Sequence, residues 1–247
     1  MKNILILASL LLTLSFNIST GESLTTEQII KNVEANMSFS TFKYSAKLII
    51  NVGGAIRKKE FFGYGEGTAK SFMEFTSPAR DKGSRFLIID KNLWIYDPVE
   101  DKSIKLSGNM LKGSFMGSDF SYKDATENRK LTEKYKATLS GNENIDGRDC
   151  YVVALKAIVD DVTYPEEKIW IDKEWFVPMK EELYAKSGKL LKIMTFSDIR
   201  KTGNRYYAYK YTLRDNLRKN SQTDMVFQEV NFDMPIPQNV FTIKQLH

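Results

Sequence analysis

The chain contains one stretch that differs from the segments on either side of it, SGNMLKGSFMGSDFSYKDATEN at residues 107–128. It is too rich in Gly and Ser for a strand and too apolar for an ordinary solvated loop. A connection of this length inside a compact domain is usually functional or disordered, and its apolar side chains argue against disorder. We therefore predict a mobile lid over an apolar cavity; the alternative is a loop packed on the core.

The segments on both sides of this stretch have the two-residue period of β-strands. Residues 42–52 alternate between apolar and polar side chains, as in a half-buried strand. Residues 85–106 predict a three-strand meander that leads into the stretch, and a strand over residues 131–139 follows it. Thr25 and Gln28 have capping-box spacing and predict a short helix before the first strand. About eleven strands without regular strand–helix alternation favour one large antiparallel sheet, which must curl or split.

A curled sheet of this size has a concave face that something apolar must cover. Aromatic residues make up 12% of the chain, and the covering is either the N-terminal helix with the 107–128 stretch or a ligand. Lipid acyl chains fit because each buried methylene contributes roughly 0.8 kcal/mol. The alternative for each large apolar residue is an ordinary core position. The residues that we predict to form the cavity and lid are Leu48, Ile50, Met73, Phe75, Phe86, Trp94, Tyr96, Met110, Phe115, Met116, Phe120, Tyr122, Trp170, Met179, Met194 and Phe196.

The first 21 residues have the layout of a secretory signal peptide. Lys2 supplies a positive start, residues 4–14 an apolar core, and residues 19–21 a small-residue exit. We expect cleavage near Gly21, a single mature domain over residues 22–247, and a periplasmic location. No Cys lies near the exit, so we expect no lipid anchor.

The charge pattern argues against nucleic acid as a partner. The formal net charge of the chain is +5, but Lys and Arg are spread along it with acids between them, as on an ordinary solvated surface. Binding to nucleic acid would call for a basic stripe. Export argues in the same direction.

The residues that common catalytic sites need are scarce. The single His is His247 at the C-terminus, and the single Cys, Cys150, precedes apolar residues and is expected to be a buried free thiol. Neither a histidine-based catalytic site nor a usual zinc cluster can be built from them, and we expect no metal and no cofactor. Adjacent carboxylates such as Glu181 and Glu182 point to opposite faces of a strand. We therefore expect a protein that is not an enzyme, with a carboxylate-only hydrolase as an alternative.

Residues 114–122, SFMGSDFSY, closely resemble the signature of the outer membrane lipoprotein-sorting protein family, in the LolA/LolB-like superfamily. The residues that carry the signature are Met116, Gly117, Ser118, Asp119, Phe120, Ser121 and Tyr122. Other segments match the family's pattern in order: residues 93–96 before the signature, then 170–172, 178–180, 188–192, 196–198 and 237–241. The likeness covers nearly all of the mature chain.

This resemblance implies a mainly β fold, in which a curved antiparallel sheet forms a half-open β-barrel with an N-terminal helix and a short helical or loop lid. It also implies a monomeric periplasmic carrier that binds the acyl chains of lipoproteins or free lipid for transfer towards the outer membrane. An inner-membrane exporter or an outer-membrane acceptor is the expected membrane partner. The alternative is a sensor or interaction module that binds lipid or protein ligands.

Overall fold

The computed structural model describes residues 24–127 and 130–246. The predicted signal peptide, its cleavage site and His247 lie outside the described residues, as does Asn128 at the end of the predicted lid. Within these two ranges, no helix is both long and apolar enough to cross a membrane.

Thirteen strands form one antiparallel sheet in the described part of the chain. They are β1 (Thr41–Val52), β2 (Ala55–Glu66), β3 (Lys70–Ser77), β4 (Arg85–Ile89), β5 (Asn92–Asp97), β6 (Lys102–Leu106), β7 (Tyr135–Ile145), β8 (Arg148–Ala157), β9 (Glu166–Asp172), β10 (Pro178–Tyr184), β11 (Leu190–Thr202), β12 (Arg205–Asp215) and β13 (Ser221–Phe232). The large antiparallel sheet predicted from the sequence is confirmed, with two strands more than expected.

The order of the strands in the sheet explains why it remains open. β1 pairs with β2 on one side and with β13 on the other. The first six strands follow one another outwards from β1 to β6, and the last seven return from the opposite outer strand, β7, to β13. β6 and β7 are therefore the two edge strands of the described sheet. The half-open barrel that the resemblance implied is confirmed.

The N-terminal helix α1 (Thr26–Met37) begins with the predicted capping box. The Thr25 side chain accepts a hydrogen bond from the Gln28 backbone, and the Gln28 side chain accepts one from the Thr25 backbone. Ile29, Ile30 and Val33 are buried on one face of the helix. That face packs on apolar side chains of β7, β8 and β9, so α1 covers one half of the concave surface.

The segment after the lid differs from the sequence prediction. Residues 131–134 form a short helix, α3 (Leu131–Lys134), where a strand was expected. Contacts with α1 stabilise it: the Thr132 backbone N–H and hydroxyl both donate to Glu34 Oε1, at 2.9 and 3.1 Å. β7 itself continues beyond residue 139, because Asn142 and the residues after it pair with β8 beyond a bulge.

The other half of the concave surface is covered by residues 107–127, which we call the lid. The lid contains two 3₁₀ turns, Gly108–Lys112 and Phe115–Gly117, and a short helix, α2 (Tyr122–Thr126). Phe115 is buried among side chains of β1 to β6. Since the chain enters the lid from β6 and later joins β7, the lid lies in the connection between the two edge strands of the sheet.

Candidate functional site

A cavity of about 270 Å³ lies between α1, the lid, α3 and the concave face of the sheet. Most of its lining is apolar, and four methionines contribute to it. The apolar side chains that line it are Val33, Met37, Met73, Phe115, Phe120, Ala125, Leu131, Pro178, Leu183, Met194, Phe196, Leu213 and Met225. The volume lies just below the range for small-molecule sites, roughly 300–1,000 Å³. Neither α1 nor the lid covers this central part of the concave face completely.

Five of the residues predicted from the sequence line this cavity. Met73 comes from β3, Phe115 and Phe120 come from the lid, and Met194 and Phe196 come from β11. Phe115 and Phe196 are buried, whereas the others are half-buried and face the open space. The lid and the sheet thus contribute to one common lining.

Other predicted residues lie beneath the lid or belong to it, but do not line the cavity. Leu48, Ile50, Phe75 and Phe86 are buried in the apolar cluster of β1 to β5. Met116 and Tyr122 are half-buried against the same cluster, and 54% of the Met110 surface is exposed. The four sheet residues support the lid, and none of the seven forms the wall of the cavity.

Four predicted residues lie on the opposite, convex face. Trp94 and Tyr96 alternate with Leu93 and Ile95, which pack in the cluster beneath the lid. Trp170 and Met179 pack with Cys150 on the far side of β8 to β10. The structure therefore does not bring these four side chains to the cavity.

The signature segment folds back on itself in a compact turn. The Phe115 N–H donates to the Phe120 carbonyl at 2.7 Å, and the Ser118 hydroxyl donates to the Phe115 carbonyl at 2.6 Å. Met116 and Gly117 turn the chain with left-handed φ values of 51° and 79°. The Phe115 ring contacts the ring of Phe86, with centroids 5.2 Å apart. The buried Phe115 ring thus anchors the tight turn of residues 115–120 to the sheet.

Polar side chains of the sheet hold the carbonyl groups of this turn. Arg57 of β2 donates from Nη2 to the Gly117 carbonyl at 3.3 Å. Arg218, in the turn between β12 and β13, donates to the Gly117 and Ser118 carbonyls. Charge-assisted hydrogen bonds of this kind are stronger than neutral ones, so the turn is fixed from two sides.

Asp119 is the buried contact between the lid and β13. Its exposed fraction is 2%, and its partner Thr223 is fully buried. The Thr223 hydroxyl donates to Asp119 Oδ2 at 2.6 Å and accepts from the Asp119 N–H at 2.9 Å. Lys192 Nζ donates to the Asp119 carbonyl at 2.9 Å. These hydrogen bonds offset the burial of Asp119 Oδ2 and of the Thr223 hydroxyl, whereas Asp119 Oδ1 makes no hydrogen bond and lies 3.8 Å from Nη1 of Arg218.

Asp124 of α2 contributes a charged contact at the edge of the cavity. Its Oδ2 accepts from Lys192 Nζ at 2.6 Å and from the Ser121 N–H at 2.7 Å, and its Oδ1 accepts from the Tyr164 hydroxyl at 2.7 Å. Burial opposes ionisation of the carboxyl, but the charge of Lys192 and these hydrogen bonds outweigh it and lower the pKa of Asp124. The carboxylate is therefore ionised at neutral pH.

The structure also places charged residues in the cavity wall that the sequence prediction missed. Glu167, Glu181 and Lys192 line the cavity from β9, β10 and β11, and all three are buried. The Tyr135 hydroxyl lies 2.9 Å from Glu167 Oε1. A signal for them exists in the sequence: each occupies an inward position of a strand whose other inward side chains are apolar, such as Leu183 beside Glu181.

The cavity is thus a mainly apolar space with a polar wall on one side. A ligand with an apolar chain and a polar end has the matching chemistry. No group of three or more His, Cys, Asp or Glu side chains in residues 24–127 and 130–246 is arranged to hold a metal ion. The cavity residues named above suit binding by burial of apolar surface, with the polar groups fixing the orientation of the ligand.

Comparisons with known proteins agree with this architecture. The chain superposes with a TM-score of 0.82 on a DUF1329 family protein from Desulfovibrio piger, at 22% identity over 89% of this chain and 96% of that one. The TM-score is 0.78 for a domain from Vibrio parahaemolyticus described as an outer membrane lipoprotein-sorting protein, at 21% identity over 88% and 96% of the two chains. For a LolA superfamily protein from Nitrosomonas europaea it is 0.74, at 22% identity over 90% and 100%.

A comparison with curated proteins finds no match. A family model with the description "Uncharacterized protein"-like matches residues 67–247, which is most of the chain and includes the whole lid. The chain therefore belongs to the family of that model, and its fold is the LolA-like fold that the signature at residues 114–122 predicted.

Proposed function

We propose that this protein is a periplasmic carrier that binds acyl chains of lipoproteins or other lipids and delivers them towards the outer membrane, without catalysing a reaction. The observation that carries the proposal is the mainly apolar cavity of about 270 Å³ between the lid, α1 and the sheet. Transfer of an acyl chain from water into such a cavity is favourable in proportion to the apolar area that it buries.

The composition of the lining supports a ligand of this kind. Met37, Met73, Met194 and Met225 reach the cavity from α1, β3, β11 and β13. Methionine side chains are flexible and polarizable, so they adapt to chains of different shape. The buried polar wall offers hydrogen-bond partners for the polar end of a lipid. A carrier also needs to release its ligand, and an inner-membrane exporter or an outer-membrane acceptor that favours an open state would supply the difference in free energy.

The first experiment tests whether the cavity is the binding site. Protein purified from its own periplasm is examined by native mass spectrometry, and the delipidated protein is titrated with a fluorescent fatty acid. Met194→Glu places a charge in the cavity, and we expect it to weaken binding at least tenfold. Leu139→Glu is the matched control, because Leu139 is a 40% exposed residue of β7 outside the cavity. Equal binding by the wild type and Met194→Glu would rule out the cavity as the site.

A second candidate function is supported by the two edge strands of the sheet. In the described part of the chain, β6 and β7 each pair with a neighbour along one side only. The outer side of an edge strand can accept an extended peptide as an additional strand, as in a sensor or an accessory module of an exporter. Under this reading Leu139→Glu weakens association with a peptide partner while Met194→Glu does not, which is the opposite of the pattern expected for the carrier.

A further inference from the structure

Four side chains separate the cavity from a second, much smaller space. The second space has a volume of about 20 Å³ and is lined by the end of α1, the segment before β10, β11 and β12. Phe196 and Tyr211 line both spaces, together with Met37 and Pro178. Side chains that face both spaces form the partition between them.

The two aromatic rings of the partition are well packed. The rings of Phe196 and Tyr211 meet edge to face, with centroids 5.0 Å apart and an interplanar angle of 69°. Tyr211 also contacts Phe227 at 5.3 Å and Tyr207 at 6.2 Å, and Tyr207 contacts Phe232 at 5.2 Å. The barrel on the far side of the partition is therefore filled with protein side chains rather than left open.

The sizes of the two spaces limit what can enter. A space of about 20 Å³ is close to the smallest that holds one water molecule, about 10–15 Å³. The cavity itself, at about 270 Å³, is less than twice the roughly 150 Å³ apolar cavity that accommodates a benzene molecule. It has room for one hydrocarbon chain of modest length and not for several chains side by side.

We infer that the cavity takes a single unbranched acyl chain and that Phe196 and Tyr211 set the greatest length of chain that fits. The inference rests on the carrier function proposed above and adds a specificity to it. A chain that enters from the lid side ends against the two rings. Its polar end then stays near the lid, on the side of the cavity where Asp124 and Lys192 meet.

Chain length therefore controls affinity up to a limit. Each methylene that enters the cavity strengthens binding roughly fourfold, and methylenes beyond the partition add nothing because no space receives them. We expect the affinity of the wild type for saturated fatty acids, measured from octanoate to stearate by displacement of a fluorescent fatty acid, to rise and then reach a plateau.

Substitutions in the partition and in the cavity move this plateau in opposite directions. Phe196→Ala joins the two spaces, and we expect the plateau to move to longer chains; Phe196→Leu is the milder variant if the alanine variant does not fold. Met194→Phe fills the cavity, and we expect the plateau at shorter chains. Phe61→Leu is the matched control, since Phe61 is buried in the neighbouring apolar cluster and lines neither space.

The source of the chain is tested with two peptides. A monoacylated peptide should show the same plateau as the free fatty acids, whereas a triacylated peptide should bind no tighter than the monoacylated one. A wild type without a plateau, or plateaus in the Phe196 variants at the wild-type length, would overturn the inference and leave the carrier function in place. Failure of the wild type to bind any of these acyl ligands would overturn both.

Discussion

Lys192 on β11 donates a hydrogen bond from Nζ to Asp124 Oδ2 in the lid at 2.6 Å. Only 10% and 12% of the two side chains are exposed. The pair connects the lid to the sheet at the edge of the cavity, and Lys192 also holds the Asp119 carbonyl in the same lid. One side chain thus connects two points of the lid to one strand.

Substitution of Lys192 by Met should destabilise the protein by about 3 kcal/mol, because it leaves a buried carboxylate without its cationic partner. The free energy of unfolding is measured by urea denaturation. Lys31→Met is the control, since Lys31 and Glu27 form an ion pair at the same distance of 2.6 Å but are largely exposed, and exposed pairs contribute little. Similar losses in the two variants would contradict a special contribution from Lys192.

The contact of Asp124 with Lys192 should also make stability depend on pH. The pKa of Asp124 in the folded protein is lowered from 3.8, so its contribution is complete above about pH 5 and is lost as the pH falls through the folded-state pKa. The difference in unfolding free energy between the wild type and Asp124→Asn should therefore shrink as the pH is lowered below about 4. Other carboxylates titrate in both proteins, so the difference isolates Asp124. A constant difference across this range would be inconsistent with the assigned contact.

Gly117 and Gly188 offer a matched pair for the lid turn. Their φ values are +79° and +77°, but a Cβ on Gly117 would lie 3.3 Å from the guanidinium nitrogens of Arg57, whereas a Cβ on Gly188 meets nothing within 4 Å. Each Gly→Ala substitution should cost about 1 kcal/mol for the left-handed backbone. Gly117→Ala should cost more, because Arg57 must also move. Equal losses in urea denaturation would show that Arg57 moves aside without a cost in free energy.

Trp170→Phe tests whether a large aromatic residue on the convex face takes part in ligand binding. The ammonium groups of Lys168 and Lys180 lie 4.5 and 4.2 Å from the centroid of the Trp170 ring, and Nε1 donates to Glu143 at 2.7 Å. We expect the affinity for a fluorescent fatty acid to be unchanged, because no atom of this residue lines the cavity. A tenfold loss of affinity with an unchanged circular dichroism spectrum would place the binding site elsewhere.

Cys150 should be unreactive in the folded protein. Its side chain is fully buried, and burial, together with the nearby charge of Asp172, raises the pKa of its thiol to about 11. Since the thiolate is the reactive form, alkylation by iodoacetamide at pH 8 should be slow in buffer and fast in urea. Rapid modification without denaturant would mean that the β8 region opens in the native state.

The fold could be read from local patterns because the decisive signals are local. The alternation in β1 and the capping box at Thr25 each involve neighbours in sequence. The helix at residues 131–134 could not be predicted in the same way, because its stability comes from Glu34, which lies far away in the chain. Tertiary contact decided its conformation, as is common for segments of about one turn.

The candidate site was harder to predict than the fold. A two-residue period separates the two faces of a strand but does not say which one is concave. The size and apolar surface of Trp94 and Tyr96 favour a position in the cavity, yet Leu93 and Ile95 occupy the concave side of β5. Buried charges such as Lys192 were missed for a related reason: charged residues are usually taken as outward-facing. A charge at an inward position between apolar residues is the more useful sign.

The topology of the sheet has a mechanical consequence for the lid. A flap that is attached at one end can swing aside on a hinge. This lid is tethered at both ends, by β6 on one side and by the chain that continues to α3 and β7 on the other, so it cannot swing aside as a rigid flap. A segment of fixed length that is held at both ends uncovers the cavity only when its two attachment points move or when its own helical turns unwind. We therefore expect access to the cavity to depend on the distance between β6 and β7, and a partner that binds one of these strands to act on the lid as well.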